Sequence, residues 1–208
     1  MRKVIVISDD TTYQQIQKYN GYPHLVIATK NDEIKSDTRF FDFKLVEEEE
    51  NVIDDPHRVI LASKPSNGSL YDKIITYLYH KGFDEITFLS NIHTSVENIF
   101  ETISILKKYP YLRVEFEDEH ESIQYFEKGT YILNKESFVS FSICPFSEAI
   151  ISLDYTIEKI NEYKLDTSKS ILKDIKFFQR IALLRVESGN VIVIRKLGEK
   201  DENWDYDT

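Results

Sequence analysis

Glycine and proline are scarce in this chain, six and five among 208 residues. So few glycines exclude collagen-like and low-complexity sequence and leave little material for a glycine-rich phosphate loop. Cysteine is nearly absent. The single Cys144 allows no intrachain disulfide and no cysteine-based zinc site, and it fits a reducing compartment. Bases are the minority charge, 26 against 36 acids, for a net charge of −10. A nucleic-acid partner is not expected, because phosphate backbones are held by clustered Lys and Arg. Long apolar runs are missing too. The opening MRKVIVISDD carries a run too short for a signal peptide, and nothing approaches the ~18 apolar residues of a membrane span. These absences point to an acidic globular protein, cytoplasmic, with no membrane partner.

What is present is an order of segments. In the first half, short apolar runs alternate with helical patterns. Residues 4–7 are a continuous β-branched run, as expected of a strand buried on both faces. Further strands are expected at 24–28, 40–46, 58–62, 85–89 and 112–116. Helices are expected at 9–18, at 71–81 and from a Thr94–Glu97 capping box to Lys108. Ser69 with Asp72 resembles a capping pair, and Gly82 a helix stop. Leu70, Ile74, Tyr77 and Leu78 are the expected inward stripe of one helix; Val96, Ile99, Phe100, Ile103 and Leu106 that of the next. Strands alternating with helices imply an α/β domain with a mostly parallel sheet.

The pattern changes near residue 118. The run EDEHE at 117–121 reads as a solvated turn, and after it come strands alone, at 122–126, 130–133, 138–144, 149–153, 157–165, 181–187 and 191–196. Ser188-Gly189-Asn190 reads as a hairpin turn. Strands in succession argue for an all-β sandwich. The expected organisation is an α/β domain over 1–120, a β-sandwich over 121–198 and an acidic tail over 199–208, with the break between 118 and 128.

Candidate chemistry is thin. No two of the five histidines are spaced for a helical metal site; His80 with Asp84 and His93 with Glu97 have i, i+4 spacing to an acid, but one pair is broken by Gly82 and the other precedes a helix cap. No G-x-S-x-G elbow is present. Acids near strand ends carry more weight, since ligands of doubly wound sheets sit outside the carboxyl ends of the strands. Asp9, Asp10, Asp42, Asp72 and Glu97 fall at such places, with Asn67-Gly68-Ser69 before Asp72. Such a ring could hold Mg²⁺. The alternative is that Asp72 and Glu97 are capping acids favoured by the helix macrodipole.

The whole chain resembles the thiamine pyrophosphokinase family. FVSFSICPFSEAI (138–150) looks like its strand into a Pro-x-Ser turn, and RVESGNVIVIRK (185–196) like its closing hairpin. HLVIATKN (24–31), FDFKLVEEEE (41–50), SNGSLYDKIITYLYHKGFDEITFL (66–89) and NIFETISIL (98–106) fall in the family's order. The resemblance implies a homodimer that takes ATP, thiamine and Mg²⁺ and forms AMP and thiamine diphosphate. It implies Asp42 and Asp72 as metal ligands, Asp72 and Glu97 as catalytic acids, and Asn67, Ser69 and Asn98 on the nucleotide side.

The family's motifs are depleted here. Ser-Asp-Asp (8–10) stands for a glycine-rich turn, and Thr29 for an Asp. Lys44 replaces the second acid of a Gly-Asp-Phe-Asp-Ser stretch, and Asn67 and Leu70 replace two acids of a Lys-Asp-x-Thr-Asp-x-Asp segment. HTSVEN (93–98) lacks an arginine, and Asp174-Ile175 stands where a thiamine-holding Ser-Asn pair belongs. Two readings follow: a divergent enzyme, or a pseudoenzyme whose cleft binds a small molecule (thiamine, a nucleotide or another), a partner protein or nothing. An unrelated α/β protein is a third. The six aromatics Phe138, Phe141, Phe146, Tyr155, Phe177 and Phe178 exceed what one small sandwich needs, which favours dimerisation through the second half.

Overall fold

The computed structural model describes residues 2–7, 19, 25–29, 43–46, 58–60, 69–90, 92, 95–168 and 171–198, with backbone only for 25–29, 43–46 and 58–60. The chain divides into two compact units, Met1–Glu119 and His120–Thr208.

The first unit is built on strands β1 (Lys3–Ile7), β2 (Leu25–Thr29), β3 (Phe43–Val46), β4 (Arg58–Ile60), β5 (Glu85–Leu89) and β6 (Arg113–Glu117), with helices α1 (Leu70–His80) and α2 (Val96–Lys108). Every pairing among these strands is parallel, in the order β6-β5-β1-β2-β3-β4. β1 is central and apolar on both faces, as its unbroken β-branched run requires. On one face Phe88 and Phe116 stack at 4.9 Å, and Tyr71 of α1 meets both edge-on at 5.1 and 5.0 Å. On the other, Ile5, Ile7 and Leu89 cluster with Tyr19.

Ser69 caps α1, its Oγ accepting from the Asp72 N–H at 3.4 Å, and Gly82 (φ +84°) follows its end. α2 is capped one residue later than the T-x-x-E pattern suggests. Ser95 is the cap, its Oγ accepting from the Asn98 N–H at 3.1 Å. The shift matters for packing. α2 buries Thr102, Ile105 and Leu106, whereas Val96 and Phe100, expected inward, are 64% and 67% exposed. The buried set continues to Tyr109 with i, i+3, i+4, i+7 spacing, a stripe that counts a threonine as core and so escapes an apolar search.

The second unit is all-β. β7 (Glu121–Phe126), β14 (Val191–Leu197), β9 (Phe138–Pro145) and β12 (Leu172–Lys176) form one antiparallel sheet in that order. β8 (Gly129–Asn134), β13 (Ile181–Ser188), β10 (Ala149–Asp154) and β11 (Ile160–Leu165) form the other. Inward residues of both sheets, among them Phe141, Ile143 and Val193 from the first and Leu133, Ile151 and Leu184 from the second, make one core. Residues 130–165 hold strands and turns only. One charge joins this interior. Arg195 is buried with its guanidinium carbon 4.1 Å over the Phe138 ring, Nε donating to Ser122 Oγ at 3.2 Å and Nη1 to the Asn134 carbonyl at 3.4 Å.

Other sequence expectations are also corrected. β11 begins later than expected, because residues 155–158 form a bend in which Tyr155 adopts φ +61°, while residues 40–42 of the expected third strand lie outside the described residues. β12 was not expected at all; its LKDIK is polar, bulged, and carries Asp174 at φ +55°. The acid run 117–121 is not simply a solvated turn. Glu117 and Asp118 are 3% and 5% exposed and close β6. Of the six aromatics, Phe138, Phe141 and Phe177 fill the core, and only Phe146, Tyr155 and Phe178 are exposed. The helix at 9–18 and the tail at 199–208 lie outside the described residues.

Candidate functional site

The strand order fixes where a ligand crevice belongs. The chain winds outward from β1 to β4, then returns to lay β5 on the other side of β1. The order reverses between β1 and β5, and such a reversal opens a crevice beyond the carboxyl ends of the two strands. β1 ends at Ile7 and β5 at Leu89. Beyond β5, the Ser90 N–H donates to the Glu117 carbonyl at 3.0 Å, and the Glu117 carboxylate accepts from the buried Tyr19 hydroxyl at 2.8 Å. Glu117 and Tyr19 were missed by sequence reasoning. The acid run gave no sign of burial, and Tyr19 fell just past the expected helix at 9–18, in no assigned element.

Glu97 and Asn98 sit in the first turn of α2, and both are exposed. Ser69 spends its hydroxyl as a helix cap. Asp42 and Asn67 fall outside the described residues. Asp72 is where the sequence places it, in the first turn of α1, but its surroundings are not those of a metal ligand. Its Oδ1 accepts from the Tyr109 hydroxyl at 2.9 Å, and its Oδ2 lies 2.8 Å from the Lys108 ammonium. Both oxygens are engaged at the end of α2, and the side chain is only 15% exposed. The carboxylate beside Lys108 holds that ammonium above the usual lysine value. Burial, more than anything else, pushes the Tyr109 phenol up.

Mg²⁺ asks for several anionic or carbonyl oxygens in near-octahedral array. Asp72 already has an internal cation and a hydroxyl donor, and among the described residues no group of three or more His, Cys, Asp or Glu is placed to hold a metal ion. The described residues therefore do not fit a magnesium site.

Over nearly its whole length the chain superposes on solved enzymes. The fold is that of the thiamine pyrophosphokinases. Thiamine pyrophosphokinase from Bacillus subtilis matches with a TM-score of 0.76 at 16% identity, covering 95% of this chain and 100% of its own. The enzyme from Geobacillus thermodenitrificans matches at 0.78 and 12% identity, covering 96% and 99%. That from Candida albicans matches at 0.70 and 11% identity, covering 95% and 89%. No family model and no curated protein matches the chain. At these identities the thiamine pyrophosphokinase fold is kept while most side chains have changed. Among the described residues, no helix is long and apolar enough to cross a membrane.

The raised Tyr109 pKa gives a pH-dependent prediction. A phenol whose folded pKa lies above its unfolded value stabilises fully below the unfolded pKa of about 10 and loses that stabilisation as pH rises through the folded value. Urea midpoints measured from pH 8 to 11 should fall more steeply for the parent protein than for Tyr109→Phe.

Proposed function

We propose that this chain is a divergent thiamine pyrophosphokinase-family protein that keeps a small-molecule cleft at the β1–β5 crevice and has largely or wholly lost pyrophosphoryl transfer from ATP to thiamine. The observation that carries this is the state of Asp72. It is the one acid left in a segment where Asn67 and Leu70 replace two others, and Tyr109 and Lys108 engage both of its oxygens. Transferring a diphosphate group depends on positioning and on neutralising charge at the phosphates. A carboxylate already compensated by a lysine recruits a divalent ion less strongly. The reading is of a pseudoenzyme, with thiamine or a nucleotide as the ligand class.

Isothermal titration with ATP and with thiamine, each with and without Mg²⁺, tests the cleft. We expect heat from at least one ligand, with a dissociation constant that Mg²⁺ changes by less than about threefold. Binding of both ligands with a strong Mg²⁺ requirement would restore the enzyme reading. We further propose a homodimer through the second unit, supported by the exposed Phe178 (70%), Tyr155 and Ile157, on two segments joined by the Phe178 N–H to Tyr155 carbonyl and Ile157 N–H to Lys176 carbonyl bonds, each 3.0 Å. Sedimentation at tens of micromolar should give a dimer, weakened in Phe178→Ser; a monomer would end that proposal.

A further inference from the structure

Around the last turn of α1 and the segment after α2, the surface changes character. These two stretches bring together two exposed tyrosines. Tyr79 and Tyr111 are 49% and 67% exposed and meet edge-on at 6.0 Å, and Tyr111 meets Tyr109 at 6.2 Å. Around them stand exposed bases. Arg2 donates from Nη1 to the Lys81 carbonyl at 3.1 Å, and the Arg113 N–H donates to the Asp84 carbonyl at 3.0 Å; Lys107 and Lys108 lie just ahead of the tyrosine pair. Among the described residues, acids also stand here: Asp72 is held by Lys108, Asp84 accepts from the Arg2 N–H at 2.6 Å, and Glu85 lies 3.8 Å from Lys3. The area is basic on a chain whose net charge is −10.

The geometry points to this surface as a docking site for a short acidic protein segment carrying aromatic side chains. Tyrosine offers a large rigid contact area with a polar tip and little rotamer entropy to lose, and it is enriched where interfaces concentrate their binding energy. The lysines and arginines select the sign of the partner and speed its arrival. The chain's overall charge selects its size. Screening in physiological salt acts over about 8 Å, so a segment of a few acidic residues feels the local basic field. A nucleic-acid strand is disfavoured by the chain's net charge of −10. Its exposed members Tyr79, Tyr111 and Arg113 give the docking site no part in the proposed cleft, and the proposal does not depend on any ligand there.

The test uses the full-length protein and a fluorescein-labelled eight-residue peptide alternating Glu and Tyr. Peptide should shift the amide resonances of Tyr79, Lys81, Tyr111 and Arg113, leave those of Ser95 and Asn98 unmoved, and bind at least fivefold more weakly in 300 mM than in 50 mM salt. Tyr111→Ser and Arg113→Glu should each weaken binding about tenfold. Both positions are exposed, and unchanged circular dichroism confirms folding; if one variant fails to fold, the other carries the comparison. The proposal is overturned by absence of shifts at millimolar peptide. It is overturned equally by binding that both variants leave intact, by an eight-residue oligothymidylate that binds more tightly to the same residues, or by a protein dimer that Tyr111→Ser dissociates, which would make the occupant a second copy.

Discussion

Purified protein incubated with ATP, thiamine and excess Mg²⁺ should release AMP at least about 10³-fold more slowly than the ~1 per second at the low end of ordinary enzymes. The expectation is electrostatic. Pyrophosphoryl transfer builds negative charge on bridging and leaving oxygens, and a competent site offsets it with preorganised positive charge held by carboxylates. In this chain Asn67 and Leu70 carry no charge, Lys44 carries the opposite one, and the Asp72 carboxylate is compensated by an ammonium 2.8 Å away. A deficit of about 4 kcal/mol in transition-state stabilisation suffices for 10³ in rate, and removing a single oxyanion contact costs about 3 kcal/mol in well-studied enzymes. Asp72→Asn should then leave the residual rate within about twofold. Turnover near 1 per second, abolished by Asp72→Asn, would show that the carboxylate works in catalysis despite its partners.

Gly189→Ala should destabilise the protein by about 3 kcal/mol or more. Gly189 turns the β13–β14 hairpin at φ +74°, where an L side chain is strained by about 1–2 kcal/mol. A Cβ there would also overlap the Glu148 carbonyl oxygen and come within 2.8 Å of the Ala149 Cα, both backbone atoms of β10 and its approach, which cannot rotate away. Relieving that overlap costs roughly another 1–3 kcal/mol. For a chain of this size the melting temperature should drop by about 6–12 °C. Gly82→Ala is the matched control, with a similar φ of +84° but only a side-chain atom, Arg2 Nη1, nearby at an ordinary contact distance of 3.6 Å. It should cost about 1–2 kcal/mol. Equal losses at the two glycines would show that strain, and not close packing against β10, sets the cost at Gly189.

Much of the fold was legible because its signals are local. A β-branched run names β1, and a Ser three residues before an Asp, closed by a glycine, names α1. What escaped reading depended on neighbours. β12 is polar because only Ile175 and Leu172 touch the core, so it looks like a loop until β9 pairs with it. α2 buries a threonine and exposes a phenylalanine, a choice made by the sheet it meets. The candidate site was legible only as a list of acids. That Asp72 would face Lys108 and Tyr109, residues on the far end of another helix, is a tertiary fact with no local trace. Glu117 likewise reads as a surface charge until the Tyr19 hydroxyl, 98 positions away, reaches it.

The position of β14 constrains how the second unit can be made. β14 is flanked by β7 and β9, pairing Lys196 with both Glu121 and Ser140. A ribosome delivers β7 and β9 long before residues 191–197 emerge. Until then the two strands present unpaired edges toward a gap that only β14 fills, and edges of that kind recruit other chains. Pairings this distant in sequence are also slow to form. Translation of this protein thus has a vulnerable interval that lasts until β14 emerges, during which a nascent chain with β7 and β9 already exposed depends on chaperones or on speed to avoid joining its neighbours on the same message.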